Sequence, residues 1–315
     1  DQDGVDMVAN GDGTFLLLGT STLNNQDRIY IVKVDSRGDV LWEKFYSGVD
    51  NIVAMDIEAM SNGNYVVLGN ILTKIGNTTV VDSDIFIFTI DQNGSEISSG
   101  TYSSPKDAVN FETGITVTPL QNGTTPAGFI VAGNTNYDPD PEDDGGDSYE
   151  GFTALAVRFE LDCSLYDGVW NDHHSSSGDD FCTKVIQAND LTHPDPFLLF
   201  GYTNSEPTNE SFNFWTSRLN NHGSAVLLAK GILPGSPENS DEILCSVTIN
   251  GSSAETGYVF MSGISKDKSG TGNERIFIAT DRLSLLQPSS IEGIVLGGVF
   301  TSDLFANPAA IKVSA

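Results

Sequence analysis

An acid, a thirteen-residue interval and a glycine recur fifty positions apart in this chain, and no other feature narrows its folds as much. Residues Val5-Asp-Met-Val-Ala-Asn-Gly-Asp-Gly-Thr-Phe-Leu-Leu-Leu-Gly19 return as Met55-Asp-Ile-Glu-Ala-Met-Ser-Asn-Gly-Asn-Tyr-Val-Val-Leu-Gly69. Asp6 to Gly19 and Asp56 to Gly69 therefore span the same thirteen positions. The apolar run closed by glycine recurs as Gly128-Phe-Ile-Val-Ala-Gly133, Phe197-Leu-Leu-Phe-Gly201, Tyr258-Val-Phe-Met-Ser-Gly263 and Ile294-Val-Leu-Gly297. A second apolar run follows most of these, as in Ile29-Tyr-Ile-Val-Lys-Val-Asp35 and Ile85-Phe-Ile-Phe-Thr-Ile-Asp91. Three such runs end in matching turns, Asp35-Ser-Arg-Gly38, Asp91-Gln-Asn-Gly94 and Asn220-Asn-His-Gly223.

Each unit thus holds four short runs rich in Val, Ile, Phe and Tyr, separated by Gly, Asn and Asp, and no 3.6-residue period competes. Four antiparallel strands per repeat is the pattern of a propeller blade. An inner blade strand is covered on both faces, so its apolar run need not alternate. The glycine is expected to end that strand and let the chain turn. The fold class read here is all-β, a propeller of four-stranded antiparallel blades filling residues 1–315 as one domain. The blades fall near 5–50, 51–105, 106–172, 173–236, 237–290 and 291–315. Six is the expected number, with five or seven as alternatives, the last blade being incomplete or closed by both termini. Two β-sandwiches are the competing fold and leave the thirteen-residue register unexplained.

Charge excludes several functions. Fifteen Lys and Arg against 43 Asp and Glu give a net charge of −28, which repels phosphate backbones and anionic lipid surfaces. Nucleic acid is not an expected partner. No apolar run reaches the length of a membrane-spanning helix, although a lipid anchor N-terminal to Asp1 is compatible with the sequence. At 39% apolar residues the chain can build a core and is not an acidic tail.

Blade one, from Asp6 through Tyr46, resembles the repeats of secreted or lipid-anchored propellers of Bacteroidota-type bacteria. The resemblance weakens along the chain. It implies a secreted, periplasmic or cell-surface location, associated with the outer membrane, and a binding or assembly role. It carries over no catalytic residues.

Connections of unequal length place the candidate sites. Those between the first and second and the third and fourth runs are short. The others, near residues 20–28, 70–84, 134–151, 171–180, 202–211 and 265–274, read as long, and they share one face of a propeller. Acids open each first strand at Asp6, Asp56, Glu112, Asp180 and Glu242; as a collar at the channel mouth they would hold a hard cation or a cationic ligand group. Alternatively each accepts hydrogen bonds from its own turn. Asp140, Glu142, Asp144 and Asp147 follow part of a calcium-loop spacing, so calcium is a candidate ligand, and no cofactor is required. Tyr137, Tyr149, Trp170 and Tyr202 are loop aromatics that could stack on sugar rings. Cys163 and Cys182 could form a disulfide in an oxidising compartment, or remain buried thiols; Cys245, in an apolar run, reads as core.

No nucleophile elbow or phosphate-binding glycine loop accompanies the strands. The expected function is a non-enzymatic surface or periplasmic scaffold that engages a protein or a glycan through the long-loop face. The alternative is a carbohydrate-active hydrolase with a carboxylate pair on that face.

Overall fold

A computed structural model describes residues 2–46, 51–75, 79–103, 111–136, 152–167, 172–174, 179–187, 197–203, 213–220, 223, 225–231, 240–250, 258–267 and 274–282. Every regular element among them is a β-strand. Sheet one comprises β1 (Gln2–Ala9), β2 (Phe15–Leu23), β3 (Gln26–Val34) and β4 (Val40–Tyr46) in sequence order. Sheet two comprises β5 (Ile52–Ala59), β6 (Tyr65–Ile75), β7 (Thr79–Ile90) and β8 (Glu96–Tyr102) in the same order. Sheet three holds β9 (Glu112–Asn122), β10 (Thr125–Thr135), β11 (Thr153–Phe159) and the short β12 (Asp172–His174). Sheet four holds β13 (Asp180–Gln187), β14 (Phe197–Thr203), β15 (Asn213–Leu219) and β16 (Ala225–Gly231). Sheet five holds β17 (Ser240–Asn250), β18 (Tyr258–Asp267) and β19 (Glu274–Arg282). Two compact units divide the chain, Asp1–Asp143 with Leu155–Asn171, and Asp144–Ala154 with Asp172–Ala315.

Sheet two shows why its second strand is apolar throughout. Tyr65 and Val67 pack with Leu16, Leu18 and Ile31 of sheet one. Val66 and Leu68, pointing the other way, pack with Val117, Phe129 and Val131 of sheet three. Both faces are covered, so alternation would put polar groups in a core. Each such side chain stabilises the fold by about 1.5–3 kcal/mol.

The repeated glycine does not end its strand. Gly19, Gly69, Gly133 and Gly201 lie within β2, β6, β10 and β14, each beside a β-bulge in the first strand of its sheet. The bulged residues are Val5, Met55, Ile115 and Thr183; sheet five repeats the arrangement with Cys245 beside Gly263. An extra residue swings the first strand's backbone towards the second. A Cβ on these glycines would fall under 3.0 Å from the carbonyl oxygens of Asp3, Val53, Thr113 and Phe181, respectively. The turn-like glycine of the sequence is a close-approach glycine in the structure. The bulge also leaves Cys245 exposed in a run that reads as core.

One connection expected to be long is a tight hairpin. β2 and β3 meet through Asn24 and Asn25 alone, with φ of 54° and 63°, a conformation asparagine tolerates. Most of residues 20–28 is therefore strand. Turns at the opposite end close on Gly13, Gly38, Gly63 and Gly94, all at positive φ, with Cys163 (φ 63°) in the equivalent place after β11.

Candidate functional site

The bulges leave first-strand backbone groups outside the ladder, and side chains of the preceding sheet take them up. Asp6 Oδ2 accepts the Ile57 amide at 3.3 Å. Asp56 Oδ2 accepts the Val117 amide at 2.8 Å and the Thr116 hydroxyl at 2.7 Å. The residue after each glycine contributes a second link. Thr20 Oγ1 accepts the Ala54 amide, whereas the Asn70 side chain both donates to the Gly114 carbonyl and accepts the Gly114 amide. Asp6 and Asp56 therefore bond to the next sheet.

Glu112, Asp180 and Glu242 stand at another level. Asp6 and Asp56 pair with Leu18 and Leu68, one residue before the glycine. Glu112, Asp180 and Glu242 pair with Thr135, Thr203 and Ser265, two residues beyond it. The five acids thus occupy two positions along their strands, because the spacing to the glycine runs through hairpins of different length. Asp180 is buried, and its amide donates to the Phe152 carbonyl.

Glu112 has acidic company that the sequence does not advertise. It lies where β9 begins, against the end of β7 that follows the β6–β7 connection; Ser83 bridges to Phe111, and its hydroxyl donates to the Glu112 carbonyl at 3.1 Å. Asp82 and Asp84, flanking Ser83, bring their carboxylates within 4.8 Å of that of Glu112 and of each other. Glu112 is 1% exposed, both aspartates are half-buried, and Thr135 donates to Glu112 Oε1 at 3.3 Å. Carboxylates this close repel one another when all are ionised, and a shared proton or a cation relieves the repulsion. Three oxygens are at most half of the six to eight that calcium takes. In sheets one and two, Gln26 and Arg28 hold the places of Asp82 and Asp84, and Lys74 Nζ lies 2.6 Å from Asp27 Oδ2.

The remaining candidates are dispersed. Tyr137, Tyr149 and Trp170, with Asp140, Glu142, Asp144 and Asp147, lie outside the described residues. Tyr202 belongs to β14 rather than to a loop and stacks on Phe181, with ring centroids 5.0 Å apart. Cys163 and Cys182 are not joined; both are buried free thiols. Cys182 Sγ contacts the Phe200 carbonyl of the adjacent strand and Cys163 Sγ lies 3.4 Å from Ser98 Oγ, so each is held inside its own packing. Burial pushes both thiols above the ordinary range, so neither is a reactive thiolate.

Solved structures share this arrangement of sheets. A Synechocystis apocarotenoid oxygenase matches at a TM-score of 0.51 and 10% identity, over 93% of this chain and 61% of its own. The phage phi92 endosialidase matches at 0.52 and 9%, over 94% of this chain and 57% of its own. The fold is a β-propeller. A Cellvibrio cellulosa α-L-arabinanase matches at 0.41 and 11%, over 89% of this chain and 92% of its own. The chain spans about three fifths of the length of the first two proteins. No family model matches the sequence, and no curated protein matches it. The first two of these propellers are named as enzymes, which corrects the expectation of a non-enzymatic scaffold by favouring the alternative.

Proposed function

We propose that this propeller is a carbohydrate-active hydrolase whose acid groups are Glu112, Asp82 and Asp84. The observation that carries the reading is the convergence of the three carboxylates within 4.8 Å, at the end of sheets two and three where second and third strands connect. Glycoside hydrolysis needs two carboxyls flanking one bond, and a separation near 5 Å suits attack by one of them on the sugar. Glu112, enclosed and bonded to Thr135, serves as proton donor to the leaving oxygen. One of the half-buried aspartates attacks the anomeric carbon as the glycosidic C–O bond breaks. Water, deprotonated by the Glu112 carboxylate, then cleaves the glycosyl ester and restores both groups.

The substrate class is an extended glycan. The domain is a six-bladed propeller in this reading, and the resemblance of blade one to bacterial surface repeats supports a secreted, periplasmic or surface location. The net charge of −28 supports neutral over polyanionic glycans.

Incubation with a panel of neutral polysaccharides and aryl glycosides, read as reducing sugar released, tests the proposal. At least one is hydrolysed, and Glu112→Gln, Asp82→Asn and Asp84→Asn are compared on it. Loss of about a thousandfold in Glu112→Gln and in one of the aspartate variants, with an unchanged circular dichroism spectrum, is expected. No release from any member of the panel, or full activity in all three variants, contradicts it.

A further inference from the structure

Five Asn-Gly steps punctuate the chain, at Asn10, Asn62, Asn93, Asn122 and Asn250. Such a step is open to attack by the chain on its own side chain. The glycine amide nitrogen closes a five-membered ring onto the asparagine Cγ, and no Cβ beside that nitrogen hinders it. The attack needs a side chain that can swing, a glycine N–H not committed to another acceptor, and room for the ring. The fold meets these needs unequally.

Asn10 is held at both ends of its amide, since Nδ2 donates to Thr14 Oγ1 at 2.9 Å and Oδ1 accepts the Tyr65 hydroxyl at 2.8 Å. At Asn62, Oδ1 accepts the Asn64 amide, and the attacking group, the Gly63 amide, donates to the Met60 carbonyl at 3.0 Å. At Asn93 the Gly94 amide donates to the Asp91 carbonyl at 3.0 Å. Gly94 is also buried, with the Trp42 ring 2.8 Å from where a Cβ would stand. Gly251, which follows Asn250, lies outside the described residues.

Asn122 differs on every count. It ends β9 paired with Thr125, and Gly123 (φ 65°) with Thr124 makes the two-residue turn into β10. Residues 121–125 are all exposed, and a Cβ on Gly123 would meet nothing within 4 Å. Among the described residues, nothing accepts the Gly123 amide and nothing holds the Asn122 side chain.

We infer that Asn122 is a self-modifying position, converting to aspartate and isoaspartate while Asn10, Asn62 and Asn93 persist. The Gly123 nitrogen, deprotonated by hydroxide, bonds to Cγ, the bond from Cγ to the side-chain nitrogen breaks, and ammonia leaves. Water then opens the succinimide at either carbonyl, leaving a carboxylate on a normal backbone or on one lengthened by a methylene. The rotation that brings nitrogen to Cγ opens only the tip of one hairpin, where opening costs least. Each event adds one negative charge. The isoaspartate form also lengthens the turn of the hairpin whose far end pairs Glu112 with Thr135.

The test incubates the full chain in mildly alkaline buffer made with isotope-labelled water, so that new conversion is told from old. Peptide mass spectrometry reads acid formed at each Asn-Gly step, and a parallel sample is kept in concentrated urea. In the folded chain, conversion at Asn122 is expected to exceed that at Asn10, Asn62 and Asn93 by about tenfold or more. In urea, where sequence alone decides, the four sites are expected to convert at similar rates. Asn122→Gln, whose ring would need a sixth member, loses the acidic species from isoelectric focusing of the folded chain. Conversion at Asn10, Asn62 or Asn93 that equals or exceeds that at Asn122 in the folded chain overturns the inference. So does an Asn122 that stays intact when folded.

Discussion

The Asp56 carboxylate of sheet two accepts the Val117 amide of sheet three at 2.8 Å, across 61 positions of sequence. That amide lies two residues after the bulge at Ile115 in its own sheet. Asp6 and Ile57 repeat the relationship one sheet earlier. At the bulged strands of sheets two and three, a carboxylate thus links the strand to the preceding sheet.

Replacing Asp56 by Ala leaves two buried donors without their acceptor, the Val117 amide and the Thr116 hydroxyl. A loss of about 3 kcal/mol in urea unfolding is expected. Asp6→Ala, which removes the longer bond to the Ile57 amide, costs about 1 kcal/mol. Equal losses for the two would show that the link from Asp56 does not stabilise the junction.

The glycines divide into two classes by the same geometry. Gly133→Ala and Gly201→Ala drive a Cβ into the Thr113 and Phe181 carbonyl oxygens, and each costs about 3 kcal/mol or more. At Gly4 an added Cβ meets nothing within 4 Å at an ordinary φ, so Gly4→Ala stays within about 0.5 kcal/mol. Thermal or urea melts of the three variants check the contrast.

Thr216 is 5% exposed in β15, and its hydroxyl has no hydrogen-bond partner among the described residues. The corresponding residues of sheets one and two are Ile31 and Ile87. Thr216→Val, which keeps the shape and removes the buried hydroxyl, raises stability by about 1 kcal/mol. A fall in the unfolding midpoint would contradict this.

Acid weakens the fold through carboxylates held below their ordinary range. Burial alone raises Asp27, but the bonds from Lys74 and Thr22 outweigh it and hold the group down. Asp91 is lowered chiefly by the backbone amide of Ser95, against an opposing desolvation, with the Asn93 amide adding to it. A group lowered on folding contributes stability that is complete above its unfolded value near 4. That stability is lost as pH falls through the lower folded value. Melting temperature is therefore flat from pH 7 to 5 and drops below about 4. Lys74→Met removes part of the drop.

Much of the architecture was legible because the glycine lies beside a bulge in each of the five described sheets. The bulge beside it was not, since one extra residue in a pairing leaves no mark in a single strand's pattern. Spacing to the glycine, thirteen residues for Asp56 and twenty-one for Glu112, sets the two acids apart, but the strand positions they hold follow only once the β9–β10 hairpin is known. The Asn24-Asn25 turn was hidden in a polar stretch that reads as loop. Glu112, Asp82 and Asp84 were the least visible. With 43 acids in the chain, nothing local distinguishes three that meet only because Ser83 of β7 bridges to Phe111.

The role given to Glu112 is tested most directly by how Glu112→Gln depends on the leaving group. If Glu112 supplies the proton, the variant loses about a thousandfold on a glycan with an alcohol leaving group. It keeps most of the first step on a dinitrophenyl glycoside, whose leaving group needs no proton, and added azide restores turnover. An equal loss on both substrates, with no azide rescue, would contradict the account.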